Sequence, residues 1–106
     1  AGKATGTPRY RLEVELDDQI TGYGVRRDTA ITRERRTLRA RYRLVDVGNG
    51  SVVLDAAADA DAGLDVVGSE YATIAAEQTV QERLAQSIAD QIVTRIALFV
   101  RRSEQQ

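Results

Sequence analysis

Apolar residues recur at every second position in runs between about residues 9 and 61 of this chain and at every third or fourth position beyond about residue 72. No other feature constrains the fold as much. Successive side chains of a strand point to opposite faces, whereas those of an α-helix return to one face every three or four residues. RYRLEVEL (9–16) sets Tyr10, Leu12, Val14 and Leu16 on one face and Arg9, Arg11, Glu13 and Glu15 on the other. TGYGVRRD (21–28), with two glycines and a charged cluster, marks a hairpin tip. The next strand climbs from about Thr29 to Val47, with Leu38, Ala40, Tyr42 and Leu44 inward and Arg33, Arg35, Arg39, Arg41 and Arg43 outward. Gly48-Asn49-Gly50 turns the chain. The return strand from Ser51 places Val52, Leu54, Ala56, Ala58 and Ala60 inside, with Asp55, Asp59 and Asp61 outside.

Parity restricts how these two strands can pair. Both bury even-numbered residues, so the numbers of cross-strand partners must add to an even total. A three-residue Gly-Asn-Gly loop sets that total at 98, with a glycine for the left-handed position of a bulged turn. Leu44 then faces Leu54 and Tyr42 faces Ala56 inside, while Arg43 faces Asp55 and Arg39 faces Asp59 outside. A longer loop, with a total of 100, gives Arg41–Asp59 and Arg39–Asp61 instead. Either register makes an arginine–aspartate ladder, at about 0.2–1 kcal/mol per pair.

From about Ala72 to Arg101, Val80, Leu84, Ile88, Ile92, Ile96 and Phe99 or Val100 mark one face of a long amphipathic helix. Glu70, Glu77 and Glu82 near its start and Arg101 and Arg102 at its end suit the helix dipole. The expected fold is α+β with two layers: an antiparallel β-meander (about 9–20, 29–47 and 51–66) under one C-terminal helix (about 72–101). Residues 1–8 read as a flexible lead-in, 9–102 as a single domain and 103–106 as a disordered tail. The third strand offers mostly alanine to the helix, and the sheet has two edges to protect. The core is thin, and a further strand or helix from upstream sequence or from a partner is expected to complete it.

The chain has 106 residues and a formal charge of −1, which attracts neither nucleic acid nor an acidic membrane overall. The charge is unevenly spread: residues 33–43 hold six arginines and one glutamate, while Asp55 to Glu82 contain seven acids and no base. There is no cysteine or histidine, so thiolate chemistry, disulfides and the commonest general base and metal ligand are missing. No apolar run approaches the ~20 residues of a membrane helix. Neither a nucleophile–base pair nor a metal constellation is visible. Asp17-Asp18 is too common a pair to signal catalysis, so the expectation is a non-enzyme without cofactor or metal.

PRYRLEVEL, then TRERRTLRARYRLVDVGNGSVV, then SEYATIAAEQTVQERLAQSIADQIVTRIALF with its closing RR follow one another in an order that resembles the lipopolysaccharide-assembly lipoprotein family, LptE, of the alphaproteobacterial type. The likeness runs over roughly residues 8–102. It implies an acylated N-terminal cysteine, a first strand and a first helix upstream of residue 1, so the chain is expected to be the remainder of a longer lipoprotein whose lipid anchor is absent here. It further implies a place on the periplasmic side of the outer membrane. There, family members plug and help assemble the LptD β-barrel and bind lipopolysaccharide.

Under that resemblance the candidate lipopolysaccharide-binding residues are Arg26 and Arg27 on the first hairpin tip, with Arg33, Arg35 and Arg36 as one basic end. Guanidinium groups there could clamp a lipid phosphate by charge-assisted, two-pronged hydrogen bonds. Two solvated arginines flanking a turn would read the same way. Arg33, Arg35 and Arg36 lie past the reach of Asp55–Asp61, though Glu13, Glu15, Asp17 or Asp18 could pair with them. Arg39, Arg41 and Arg43 read as ladder members. Tyr10, Tyr42 and Tyr71 read as core or boundary residues and Tyr23 as a turn residue. Two other functions compete. One is a homo-oligomerising or scaffolding domain that pairs its strand edges. The other is an arginine-rich nucleic-acid module, disfavoured by the facing aspartates and by too few aromatics to stack bases.

Overall fold

The structure, a computed structural model, describes residues 8–23, 31–67 and 70–104. Three strands, β1 (Tyr10–Tyr23), β2 (Ile31–Asp46) and β3 (Val52–Val67), form one antiparallel sheet in the order β1-β2-β3. A single helix, α1 (Glu70–Glu104), follows. This is the α+β meander-and-helix architecture that the change of period predicts. The ends differ by a few residues: β1 continues through Thr21–Tyr23, which the sequence places in the hairpin tip, and α1 reaches Glu104. The strands of 16 residues and the helix of 35 are each about 53 Å long. Sheet and helix therefore match end to end. The radius of gyration is 19.0 Å, against about 13 Å for a compact chain of this length.

Leu44 faces Leu54, Tyr42 faces Ala56, Arg43 faces Asp55 and Arg39 faces Asp59. The shorter-loop register is thus the one adopted, although the chain reaches it by another route. The Asp46 N–H donates to the Ser51 carbonyl and the Gly50 N–H to the Asp46 carbonyl, both at 2.8 Å. Gly50 takes φ +73°, the left-handed conformation that a side chain disfavours. The Asp46 carboxylate accepts from the Gly48 N–H, and the Asn49 side-chain oxygen accepts from the Ser51 N–H. Four residues, Val47–Gly50, thus make the turn. Val45 then faces Val52 while Leu44 faces Leu54, which leaves Val53 as one extra residue on β3. That bulge corrects one expectation. Val52 is 51% exposed rather than inside, and Val53 is the residue that packs against the core.

The core is a single layer of contacts. Leu38, Ala40, Tyr42 and Leu44 of β2, Leu54 and Ala58 of β3, and Leu84, Ile88 and Ile92 of α1 are buried in one cluster. Val80, Ile96 and Phe99 extend it along the helix, and Ala56 and Ala60 along β3. A stripe spaced by four residues drifts around a helix by about 40° per step, so the contact line winds as it crosses the twisted sheet.

Helix α1 lies over β3 and β2 and stops short of β1. Every described residue from Arg11 to Thr21 is exposed. Leu12 and Val14 are each 43% exposed, Leu16 64% and Ile20 54%. The face assigned to burial on β1 is the correct face, but the helix does not cover it. At the start of the strand Tyr10 reaches the helix, its ring meeting Phe99 edge-on with centroids 6.0 Å apart. The side chains of Tyr23 and Tyr71 lie outside the described residues.

Candidate functional site

The arginines of β2 stand between two acidic strands. Outward from the sheet, β1 presents Glu13, Glu15 and Asp17, β2 presents Arg33, Arg35, Arg39, Arg41 and Arg43, and β3 presents Asp55, Asp59, Asp61 and Asp65. Contacts across this face run diagonally as well as straight across. Arg41 faces Ala57 but contacts Asp55 at 3.6 Å, and Arg43 faces Glu13 but contacts Glu15 at 3.9 Å. Sheet twist brings such offset neighbours within reach of long side chains. These pairs are solvent-exposed, and each contributes about 0–1 kcal/mol.

The five candidate arginines divide three ways. Arg26 and Arg27 lie in the β1–β2 connection, outside the described residues. Arg33 and Arg35 share the outer face at the far end of β2, close to that connection. Both have acidic partners on β3: Arg33 Nε is 3.5 Å from Asp65 Oδ1, and Arg35 pairs with Asp61. The Arg35 pair corrects the expectation that this residue lies past the reach of Asp55–Asp61. Asp65 extends the acidic strand beyond Asp61, and the diagonal offset lets Asp61 reach Arg35. The Arg33 pair is long and open to solvent, so an incoming anion meets little resistance in displacing the carboxylate.

Arg36 differs. As an even-numbered residue it faces the helix side of the sheet, opposite Ile20. Its Nε donates to Asp18 Oδ1 at 3.0 Å and its Nη2 to Asp18 Oδ2 at 2.7 Å. The Arg36 side chain is only 14% exposed and that of Asp18 34%. The two-pronged hydrogen bond from Arg36 holds the Asp18 carboxyl below its ordinary 3.8, outweighing burial, which pushes it up. The same bond holds the proton on Arg36 more tightly, with smaller help from Glu77 and Glu34. Leu16, Leu38, Leu84 and Ala85 surround the pair in a pocket of about 160 Å³, smaller than the ~300–1,000 Å³ of ordinary small-molecule sites. The pair braces β1 against β2 under the end of the helix. Of the acids named as partners for these arginines, Asp18 is the one that Arg36 uses.

The parity that separates the two faces also separates Arg36 from Arg33 and Arg35, and it puts Asp18 with Leu16 and Ile20. That signal was present in the sequence. The bond between the Gln91 side-chain amide and the Asp59 carbonyl, at 3.0 Å, had no such signal. Gln91 is one polar residue among many on α1, and only the docked helix shows that it caps the outer edge of β3. Among the described residues, no group of three or more acidic side chains is placed to hold a metal, and no helix is long and apolar enough to cross a membrane.

A family model described as LptE, lipopolysaccharide-assembly, matches residues 2–96. A solved structure of a candidate lipoprotein from Caulobacter crescentus CB15 is similar, with a TM-score of 0.63 and 27% identity over 86% of this chain. The chain spans 66% of that protein's length. No curated protein matches the chain.

Proposed function

The chain belongs to the LptE lipopolysaccharide-assembly family, and from that premise we propose that it is a non-enzymatic accessory protein of lipopolysaccharide assembly. It works at the periplasmic side of the outer membrane, held there in its full-length form by a lipid anchor. Its partner is the LptD β-barrel, which it plugs and helps assemble, and its ligand is lipopolysaccharide. The observation that carries this reading is the family match across residues 2–96, nine-tenths of the chain.

In this reading the residues of the basic end divide the labour. Arg26 and Arg27 in the first hairpin connection, together with Arg33, supply the phosphate contacts. Arg35 joins them by exchanging Asp61 for a phosphate oxygen. Arg36, tied to Asp18 on the opposite face, holds β1 to β2 instead. Guanidinium groups suit this task because their planar fork matches phosphate oxygens two at a time.

Titration of the purified protein with lipopolysaccharide tests the ligand, and co-purification with LptD tests the partner. Binding should weaken at least roughly tenfold in Arg26→Ala/Arg27→Ala, the loss of about one charge-assisted bond. Equal binding by wild type and variant removes the clamp. A folded chain that fails to co-purify with the barrel removes the assembly role.

A further inference from the structure

The two edges of the sheet are treated differently. On β3 the odd-numbered residues turn their backbone groups outward, and the Gln91 side chain of α1 caps the Asp59 carbonyl. On β1 the Arg9 carbonyl accepts from the Val47 N–H at 3.0 Å, so the odd residues bond inward to β2. The even residues Tyr10, Leu12, Val14 and Leu16 therefore aim their N–H and C=O groups at the open side. Among the described residues nothing meets them there. The same residues carry the apolar side chains that the helix leaves uncovered.

The charges on this strand are ordered. Arg9 and Arg11 precede Glu13 and Glu15, alternating with Tyr10, Leu12 and Val14. Placed antiparallel to itself about Leu12, the segment sets Arg11 opposite Glu13 and Arg9 opposite Glu15, twice over by symmetry. Leu12 then meets Leu12 in a hydrogen-bonded pair, with both of its outward backbone groups used. Arg11 and Glu13 fall at the adjacent non-hydrogen-bonded positions, where side chains approach most closely. Moving the axis to Glu13 or to Val14 brings glutamates face to face, so one register is favoured over its neighbours. Pro8 has no N–H to give to the open side, and Asp17 and Asp18 lie beyond the paired stretch, so the ladder is bounded at both ends.

We propose that the open edge of β1 pairs with β1 of a second copy of this chain about a two-fold axis at Leu12. The product is a six-stranded sheet in which the uncovered Leu12, Val14 and Leu16 of both copies line one trough between the two helices. An interface of this kind is self-complementary and closes at two copies.

Light scattering and sedimentation of the 106-residue chain over a range of concentrations test the pairing. The mass should rise from 11.6 kDa toward twice that value as concentration increases. Arg9→Glu/Arg11→Glu and Glu13→Arg/Glu15→Arg should each weaken self-association roughly tenfold, since every facing pair becomes like-charged. Mixed in equal amounts, the two variants should associate at least as tightly as wild type. Should Glu13→Arg/Glu15→Arg fail to fold by circular dichroism, Glu13→Arg mixed with Arg11→Glu tests the central pair alone. A chain that stays at 11.6 kDa throughout overturns the proposal. So does a dimer that ignores these reversals but is dispersed by Leu16→Lys, because stacked apolar faces would then hold it. Charge-reversed variants that fail to associate on mixing overturn it as well.

Discussion

Replacing Ile88 with alanine tests where the helix sits. Ile88 is buried in the middle of the contact stripe, with Leu84 and Ile92 one turn away on either side. The substitution removes three carbon atoms, equivalent to about 2.4 kcal/mol of transfer free energy at ~0.8 kcal/mol each. A cavity term adds to this, because Ala40, Ala56, Ala58 and Ala60 on the sheet have no side chain long enough to fill the space. We expect a loss of about 3 kcal/mol, within the ~2–5 kcal/mol range of such truncations. At ~4–8 °C per kcal/mol for a domain of this size, the melting temperature falls by about 12–24 °C. Leu16→Ala is the internal control. Leu16 is 64% exposed at the margin of the helix, where it only edges the small pocket beside Leu84 and Ala85, so its truncation should stay within about 0.5 kcal/mol. Urea titration followed by circular dichroism, in dilute solution, gives both numbers, and the m-value should not change. A loss below about 1 kcal/mol for Ile88→Ala, or an equal loss for Leu16→Ala, would refute the placement of α1 over β2 and β3 rather than β1.

Three further outcomes follow from local geometry. Gly50→Ala should destabilise by about 1–2 kcal/mol in urea titration because φ is +73°, although a Cβ there would meet no atom within 4 Å. Gly63→Ala, at an equally open site in β3 with ordinary φ, should instead stabilise by about 0.4–1 kcal/mol through the unfolded chain. For Asp18 the sign is set by its carboxyl lying below 3.8 in the folded chain. The Arg36 bond then stabilises fully above the unfolded value, and its contribution is lost as the pH falls through the lower, folded value. Stability measured by urea from pH 7 down to 2 should therefore drop less steeply in Asp18→Asn than in wild type, and parallel curves would exclude the pair as an acid-sensitive brace.

The register of β2 and β3 was legible because two independent constraints met. Alternation fixed which residues share a face, and the glycines allowed few loop lengths. The route to that register was hidden, since Val52 and Val53 are chemically alike and nothing in the pair marks which one bulges. On β1 alternation had a narrower meaning. It told which residues share a face but not whether anything lies on that face, because coverage depends on where the helix lands. In the basic end, parity separated Arg36 from Arg33 and Arg35. The pairing of Arg35 with Asp61 depended on sheet twist, which residue spacing alone does not encode. The ladder positions Arg39 and Arg43 followed directly from the register, yet Arg41 rather than Arg43 touches Asp55 for the same reason.

The meander order has a consequence for how the chain reaches this shape. Each strand pairs with its immediate predecessor in sequence, and the helix folds back on the strand that has just been completed. A closure that starts at the Val47–Gly50 turn can zip outward along both arms without threading or waiting for a distant segment. The helix can then settle lengthwise on the finished ribbon, gaining stability as its apolar stripe packs. A protein wired this way acquires its native contacts in nearly the order in which the ribosome delivers its residues, and its folding rate should belong with mixed α/β domains rather than with slow all-β sandwiches.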